Sequence, residues 1–181
     1  MGRIKKYFTL LLLTSPLLTF SQDKNEELID WSTTNRLGWS DYKGSPDPNS
    51  GAAATTTSYL GIEYNFKNNT VTYKIVCRFS KNKSWGLYKT DHILSHEQGH
   101  FDITEIFARR LVKAVREYKF DPKKYQDDLS KMYKKIMEEK EEFQEKYDEE
   151  TDFSRNKVKQ AEWLKKIIQE LEDLEEYGDY S

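Results

Sequence analysis

Apolar positions recur along the chain with two different periods, and each period predicts its own element. From Ala54 to Phe66 and again from Val71 to Phe79, Thr, Tyr, Ile and Val dominate and tend to alternate with polar residues, the pattern of half-buried strands. Lys67-Asn68-Asn69-Thr70 between the runs has turn chemistry, so the two read as an antiparallel hairpin that admits a third strand before it. The same Asn68-Asn69-Thr70 matches a glycosylation sequon, which the turn already accounts for. Ahead of the hairpin, Gly44 to Gly51 is rich in Gly, Pro, Asp and Ser and predicts an exposed loop.

From Asp91 to Lys119 the spacing changes to threes and fours. Ile93, Ile103, Phe107 and Leu111 share a face, Asp91 suits an N-cap, and Phe120-Asp121-Pro122 closes this helix with Pro122 in the first turn of the next. Tyr125, Leu129, Met132, Ile136, Phe143 and Tyr147 then recur at helical steps. After a break around Tyr147 to Ser154, Val158, Ala161, Leu164, Ile168 and Leu171 do so too. This reads as a long charged helical hairpin whose apolar seam needs a partner, either its own two arms or another protein along residues 121–177.

Composition sharpens the picture. Of 181 residues, 33% are charged and 14% aromatic, too polar for a many-span membrane protein and too aromatic for a disordered chain. The net charge of −2 advertises no nucleic-acid partner. Residues 119–181 nevertheless hold 19 acidic and 13 basic side chains, so half of the helical hairpin is charged. Runs such as Glu138-Glu139-Lys140-Glu141-Glu142 are the ordinary composition of a solvated helix face.

The amino terminus carries Arg3, Lys5 and Lys6, an apolar run from Tyr7 to Phe20 that contains Pro16, and small residues at Thr19 and Ser21. This is the layout of a signal peptide, residues 1–21, cleaved before Gln22, and the run is short of the about 20 apolar residues that span a bilayer. No cysteine follows it for lipid attachment, so the expected product is exported, periplasmic or extracellular, without a stable membrane anchor. Cys77 is the one thiol, and in its alternating segment it reads as a buried strand residue. The core must therefore suffice without a disulfide, or a metal must help.

All three histidines fall on the first predicted helix, at His92, His96 and His100. The last two frame His96-Glu97-Gln98-Gly99-His100, the HExxH pattern of zinc metallohydrolases. At about 100° per residue, His100 lies roughly 40° round from His96 and Glu97 about 100°, so the three occupy one arc. Two imidazoles one turn apart can each bring a nitrogen to about 2.1 Å from one Zn²⁺, with Glu97 as general base toward a water. Gly99 costs about 1 kcal/mol relative to alanine inside a helix, which points to something packed close against the backbone. His92 is about 12 Å along the axis from His100 and reads as a helix-start or supporting residue. Asp102 and Glu105 point elsewhere, and the longer HExxHxxGxxH motif fails because Ile103 and Ile106 stand at its glycine and third histidine.

These residues resemble the secreted bacterial proteins grouped as domain of unknown function 922, regarded as predicted zinc-dependent peptidases. The matching pieces are Leu37-Gly38-Trp39-Ser40-Asp41-Tyr42-Lys43-Gly44, Ala52-Ala53-Ala54-Thr55-Thr56-Thr57, Cys77-Arg78-Phe79 with Ser84-Trp85, His96 to Ile103, and Tyr147-Asp148-Glu149-Glu150-Thr151 before Gln160 and Trp163. The resemblance implies zinc at His96 and His100 with Glu97 as catalytic base. It also implies a histidine two residues after the threonine, where this chain has Phe153. A third ligand is then open between Asp148 and Asp152, with Asp148 also suited to orienting a ligand histidine, or the metal site has decayed.

The expectation is an α+β protein: residues 1–21 a signal peptide, 22–120 a zincin-like region with an antiparallel sheet packed on the HExxH helix, and 121–181 a charged helical hairpin on or extending the same domain. Its expected function is that of an exported zinc-dependent hydrolase acting on a peptide or protein, the peptide held in extended form at a strand edge. The alternative is an interaction module with a vestigial metal site.

Overall fold

The computed structural model describes residues 25–67 and 70–180. The signal segment, its cleavage before Gln22, and the Asn68-Asn69 turn with its sequon lie outside the described residues. Among the described residues the fold is α+β, with antiparallel sheets and three α-helices.

Three strands, β1 (Leu28–Asp30), β3 (Ser58–Lys67) and β4 (Thr70–Ser80), form a sheet in the order β1-β4-β3, while β2 (Ala54–Thr55) pairs with β5 (Trp85–Gly86). The expected hairpin is β3–β4, in register from Ser58↔Phe79 through Leu60↔Cys77 to Lys67↔Thr70. The third strand is β1, joined to β4 by Ile29↔Phe79. The run beginning at Ala54 is not one strand: Ala54–Thr55 leaves to pair with Trp85–Gly86 before β3 starts. On β4 the side chains of Ile75, Cys77 and Phe79 are buried in alternation, the period that sets one sheet face against a core. Burial pushes the Cys77 thiol well above its ordinary pKa, in keeping with a packing role.

The helices are α1 (Asp91–Glu117), α2 (Tyr125–Thr151) and α3 (Lys157–Asp173). Thr90, not Asp91, is the N-cap of α1, its hydroxyl accepting from the Ile93 amide at 3.2 Å. Pro122 lies in a turn rather than in the first turn of α2, because the Asp121 carbonyl takes the amides of Lys124 and Tyr125 and delays the helix to Tyr125. The turn falls at the end of the expected break around Tyr147 to Ser154: α2 runs on to Thr151, and the chain turns at Asp152, Phe153 and Ser154, all with left-handed φ of 49°, 51° and 72°.

α1 is the central element. Between His96 and Arg109 every residue except His100 is buried, with β3 and β4 packed on it as well as α2 and α3. The α2 seam meets the core through Leu129, Ile136 and Tyr147. On α3 the buried face is Gln160, Trp163 and Ile167, rotated from the expected stripe, and Val158 and Ile168 stand exposed. The rotation follows from the larger contact that Trp163 makes with Phe143 and Tyr147, at centroid distances of 5.2 and 5.5 Å. α2 also covers part of the outer edge of β3, where Tyr133 donates to the Leu60 carbonyl at 2.7 Å. Among the described residues no helix is long and apolar enough to cross a membrane.

Candidate metal centre

A helix buried on all sides must give each of its polar side chains a partner, because an unpaired buried polar group costs about 1–3 kcal/mol. On α1 those partners come from three directions. Asp102 accepts from the Trp31 indole at 2.8 Å and the Gln98 amide at 3.1 Å and pairs with Arg36, while the Gln98 carbonyl oxygen takes the Leu37 amide at 2.8 Å. Glu105 pairs with Arg109 at 2.8 Å and accepts from Tyr180. Both carboxylates are thus spent on holding the chain's flanks to α1. His92 donates from Nε2 to the Ser154 carbonyl at 2.6 Å and takes the Gln160 amide at Nδ1, fastening the α2–α3 turn to the start of α1.

His96 and His100 are used differently. Their Nε2 atoms lie 3.3 Å apart, and each is 3.0 Å from Oδ1 of Asp148 on α2. These three ligand atoms lie within 4.8 Å of one another and could hold a metal ion. Asp152 is absent from the cluster: it is turned outward and bound by both nitrogens of the Arg155 fork, at 2.7 and 3.1 Å. Phe153 is 56% exposed with Arg155 beside its ring, and its amide donates to the Asp148 carbonyl at 2.8 Å.

Tyr147 supplies the floor. Its fully buried ring stacks on His96 at 4.5 Å and meets His100 edge-on at 5.0 Å, and its hydroxyl donates to the His96 carbonyl. A Cβ on Gly99 would stand 2.5 Å from the Tyr147 hydroxyl, which is the close approach that a helical glycine predicted.

The electrostatics of the trio bear on what it holds. Burial works against the Asp148 carboxylate, yet the hydrogen bonds from His100 and His96 keep its pKa well below the ordinary range. Burial also disfavours charge on His100, but Asp148 and Glu97 outweigh it and raise the ring to about 9. At His96 burial wins over Asp148, with His100 adding repulsion, and the pKa is lowered. An ionised carboxylate only accepts, so satisfying both contacts with protons would set two N–H groups against each other across 3.3 Å. One cation facing two imidazole lone pairs and a carboxylate oxygen removes that conflict, and the donor set suits zinc, copper, iron or nickel.

Glu97, next to His96, is 4% exposed, and its Oε2 has no hydrogen-bond partner among the described residues. Its backbone carbonyl receives the Thr56 hydroxyl at 3.2 Å, and that hydroxyl in turn lies 2.9 Å from the Tyr42 hydroxyl. The segments around Tyr42 and Thr56 are thereby drawn to the HExxH turn.

A family model described as bacterial protein of unknown function (DUF922) matches residues 20–155. The chain belongs to that family. The family match takes in α1 and α2, and so all three members of the metal-binding group, and stops before α3. No curated protein and no solved structure matches the chain.

Two residues of the centre were not singled out from sequence. Tyr147 entered as an apolar step of the α2 seam and as part of the Tyr147-Asp148-Glu149-Glu150-Thr151 resemblance, with no role at the histidines. Gln144, whose Oε1 meets His100 Nδ1, sits in a charged run and carries no local signal beyond being one turn before Asp148.

Proposed function

We propose that the protein is an exported zinc-dependent hydrolase, most simply a peptidase, in which His96, His100 and Asp148 hold the metal and Glu97 is the general base. The observation that carries this reading is the convergence of three potential ligand atoms beside a buried carboxylate, Glu97, whose Oε2 has no partner among the described residues. Three protein ligands with a further position open is the pattern of a catalytic rather than a structural zinc site. Zinc bound there supplies Lewis acidity, polarising a carbonyl and bringing the pKa of a water down to about 7. Glu97 takes a proton from the attacking water and returns it to the departing amine. Tyr147 and the walls of α1 and α2 hold the histidines in place and keep bulk solvent from their buried edges. Asp148 brings one negative charge to the ligand set and, with Glu97, favours a cation.

Phe153 gives the vestigial-site alternative little support. Its ring lies at the surface against Arg155, and Asp148 on α2 offers an oxygen that could serve as the third ligand atom. The leader-like amino terminus supports export.

Elemental analysis of the purified protein after dialysis tests the metal, and hydrolysis of a mixed peptide library tests the reaction. One zinc per chain and cleavage of internal peptide bonds are expected. Glu97→Gln should keep the zinc and lower turnover by about 100-fold or more, whereas an unchanged rate would remove Glu97 from the mechanism.

A further inference from the structure

The hydrogen-bond network behind His100 fixes which ring nitrogen is free to bind. Gln144, on α2, stands one turn before Asp148 and presents its side-chain amide to α1. Its Nε2 donates to the His100 backbone carbonyl at 2.9 Å and lies 3.4 Å from the Thr104 hydroxyl. A backbone carbonyl can only accept, so the nitrogen end of the amide must face it. The oxygen end, Oε1, then faces His100 Nδ1, with which it forms a short hydrogen bond. Since Oε1 also only accepts, Nδ1 carries the proton, and in the neutral ring the lone pair is on Nε2, the nitrogen turned to Asp148 and His96.

The amide itself is anchored from the sheet. The Thr104 hydroxyl donates to the His100 carbonyl at 3.1 Å, which commits its hydrogen and leaves its oxygen to accept from Ser58, on β3, at 2.7 Å. β3, α1 and α2 thus all contribute to the orientation of one imidazole.

We infer that Gln144 is a positioning residue of the metal centre, holding His100 in the Nδ1–H tautomer so that Nε2 is the ligand atom. The inference rests on the zinc reading above. Partners of this kind on a ligand histidine act through its tautomer and basicity, and their loss weakens metal binding by about 10–100-fold.

The test is zinc affinity, measured by chelator competition on the full-length secreted protein, for the unmodified chain, Gln144→Met and Gln144→Leu. Methionine keeps the length and unbranched shape of glutamine, and circular dichroism checks that each variant is folded. A loss of about 10–100-fold in zinc affinity in folded Gln144→Met or Gln144→Leu is expected. Nitrogen-15 NMR of the zinc-loaded protein provides a readout that packing alone would not move: in the unmodified chain His100 should show a protonated Nδ1 and a metal-bound Nε2, and in the variants this single pattern should be lost. Equal affinity and an unchanged His100 pattern in a folded variant would overturn the role of Gln144. If the unmodified chain binds no zinc, the metal-centre reading itself fails, a result distinct from the first because it appears without any substitution.

Discussion

Tyr147 is wedged between His96 and Trp163 with no exposed surface, so it cannot step aside for a larger residue at position 99. Alanine there would place a Cβ 2.5 Å from the Tyr147 hydroxyl and 2.9 Å from Cζ. Gly99→Ala should therefore lower stability by about 1–3 kcal/mol through overpacking, reversing the gain of about 1 kcal/mol that alanine normally brings to a helix. Urea denaturation measures it, and a variant more stable than the parent would show that the ring can yield. Asp148→Asn makes a complementary test: it keeps size and one acceptor but removes the charge and offers a weaker ligand. It should cost zinc affinity by about 10-fold or more. At this scale the sequence was informative about His96, Glu97, His100 and the meaning of Gly99, because the HExxH spacing and a helical glycine are local signals. It left Asp148 level with Asp152, since two carboxylates four residues apart differ only in what tertiary packing brings opposite them.

The turn between α2 and α3 carries three successive left-handed residues, none of them glycine. Such residues cost on the order of 1–3 kcal/mol each and persist only where their surroundings over-determine them. Here the Phe153 amide is tied to the Asp148 carbonyl at 2.8 Å, the Asn156 amide to the Thr151 carbonyl at 2.8 Å, and the Ser154 carbonyl to His92 at 2.6 Å. The ties run from the strained turn directly to the residue that bears Oδ1 and to the start of the HExxH helix. Phe153→Gly relieves one left-handed side chain and gives up an exposed ring, offset by glycine's freedom in the unfolded chain. The expected result is a gain of up to about 1 kcal/mol in stability. His92→Leu should go the other way by about 1–3 kcal/mol, because it leaves the Ser154 carbonyl without the imidazole N–H, while the Gln160 amide keeps the His92 backbone carbonyl and Ser95 Oγ. Thermal or urea unfolding separates the two signs. Periodicity placed this turn only broadly, between Tyr147 and Ser154: Asp148-Glu149-Glu150-Thr151 offers no apolar step, yet it is the last turn of α2, held by Thr151 Oγ1 donating to the Tyr147 carbonyl at 2.7 Å. The α3 face was misread for a related reason. Spacing alone makes Val158, Ala161 and Ile168 a plausible stripe, and the bulk of Trp163 with the Gln160–His92 contacts selects another.

At the level of the whole molecule, two ligand atoms come from α1 and the third from α2, so the centre joins the sheet-bearing half of the chain to the helical hairpin. A metal that binds only this folded arrangement adds to its stability, about 2.7 kcal/mol when its free concentration is 100 times Kd. The pH dependence of that gain follows from what occupies the site without metal. In the metal-free protein the groups facing one another are His96, His100, Asp148 and Glu97. His100 is raised from 6.5 to about 9, so its contribution is fully present below pH 6.5 and is lost as pH rises toward 9. His96 is lowered from 6.5, so its burial favours the fold only above that range and is lost as pH falls. Asp148, held below the ordinary carboxylate range, contributes across the whole neutral window and fails only in strong acid. The metal-free protein should therefore lose stability between about pH 6.5 and 9 on account of His100. On the proposed function, zinc would replace the proton that His100 gives up, so its binding should tighten over that same interval. The difference in melting temperature between zinc-loaded and chelator-treated protein should widen steadily from pH 6.5 to 9, and the widening should vanish in His100→Ala. A difference that stays constant with pH would mean that zinc does not compete with the His100 proton, and so does not bind at this trio.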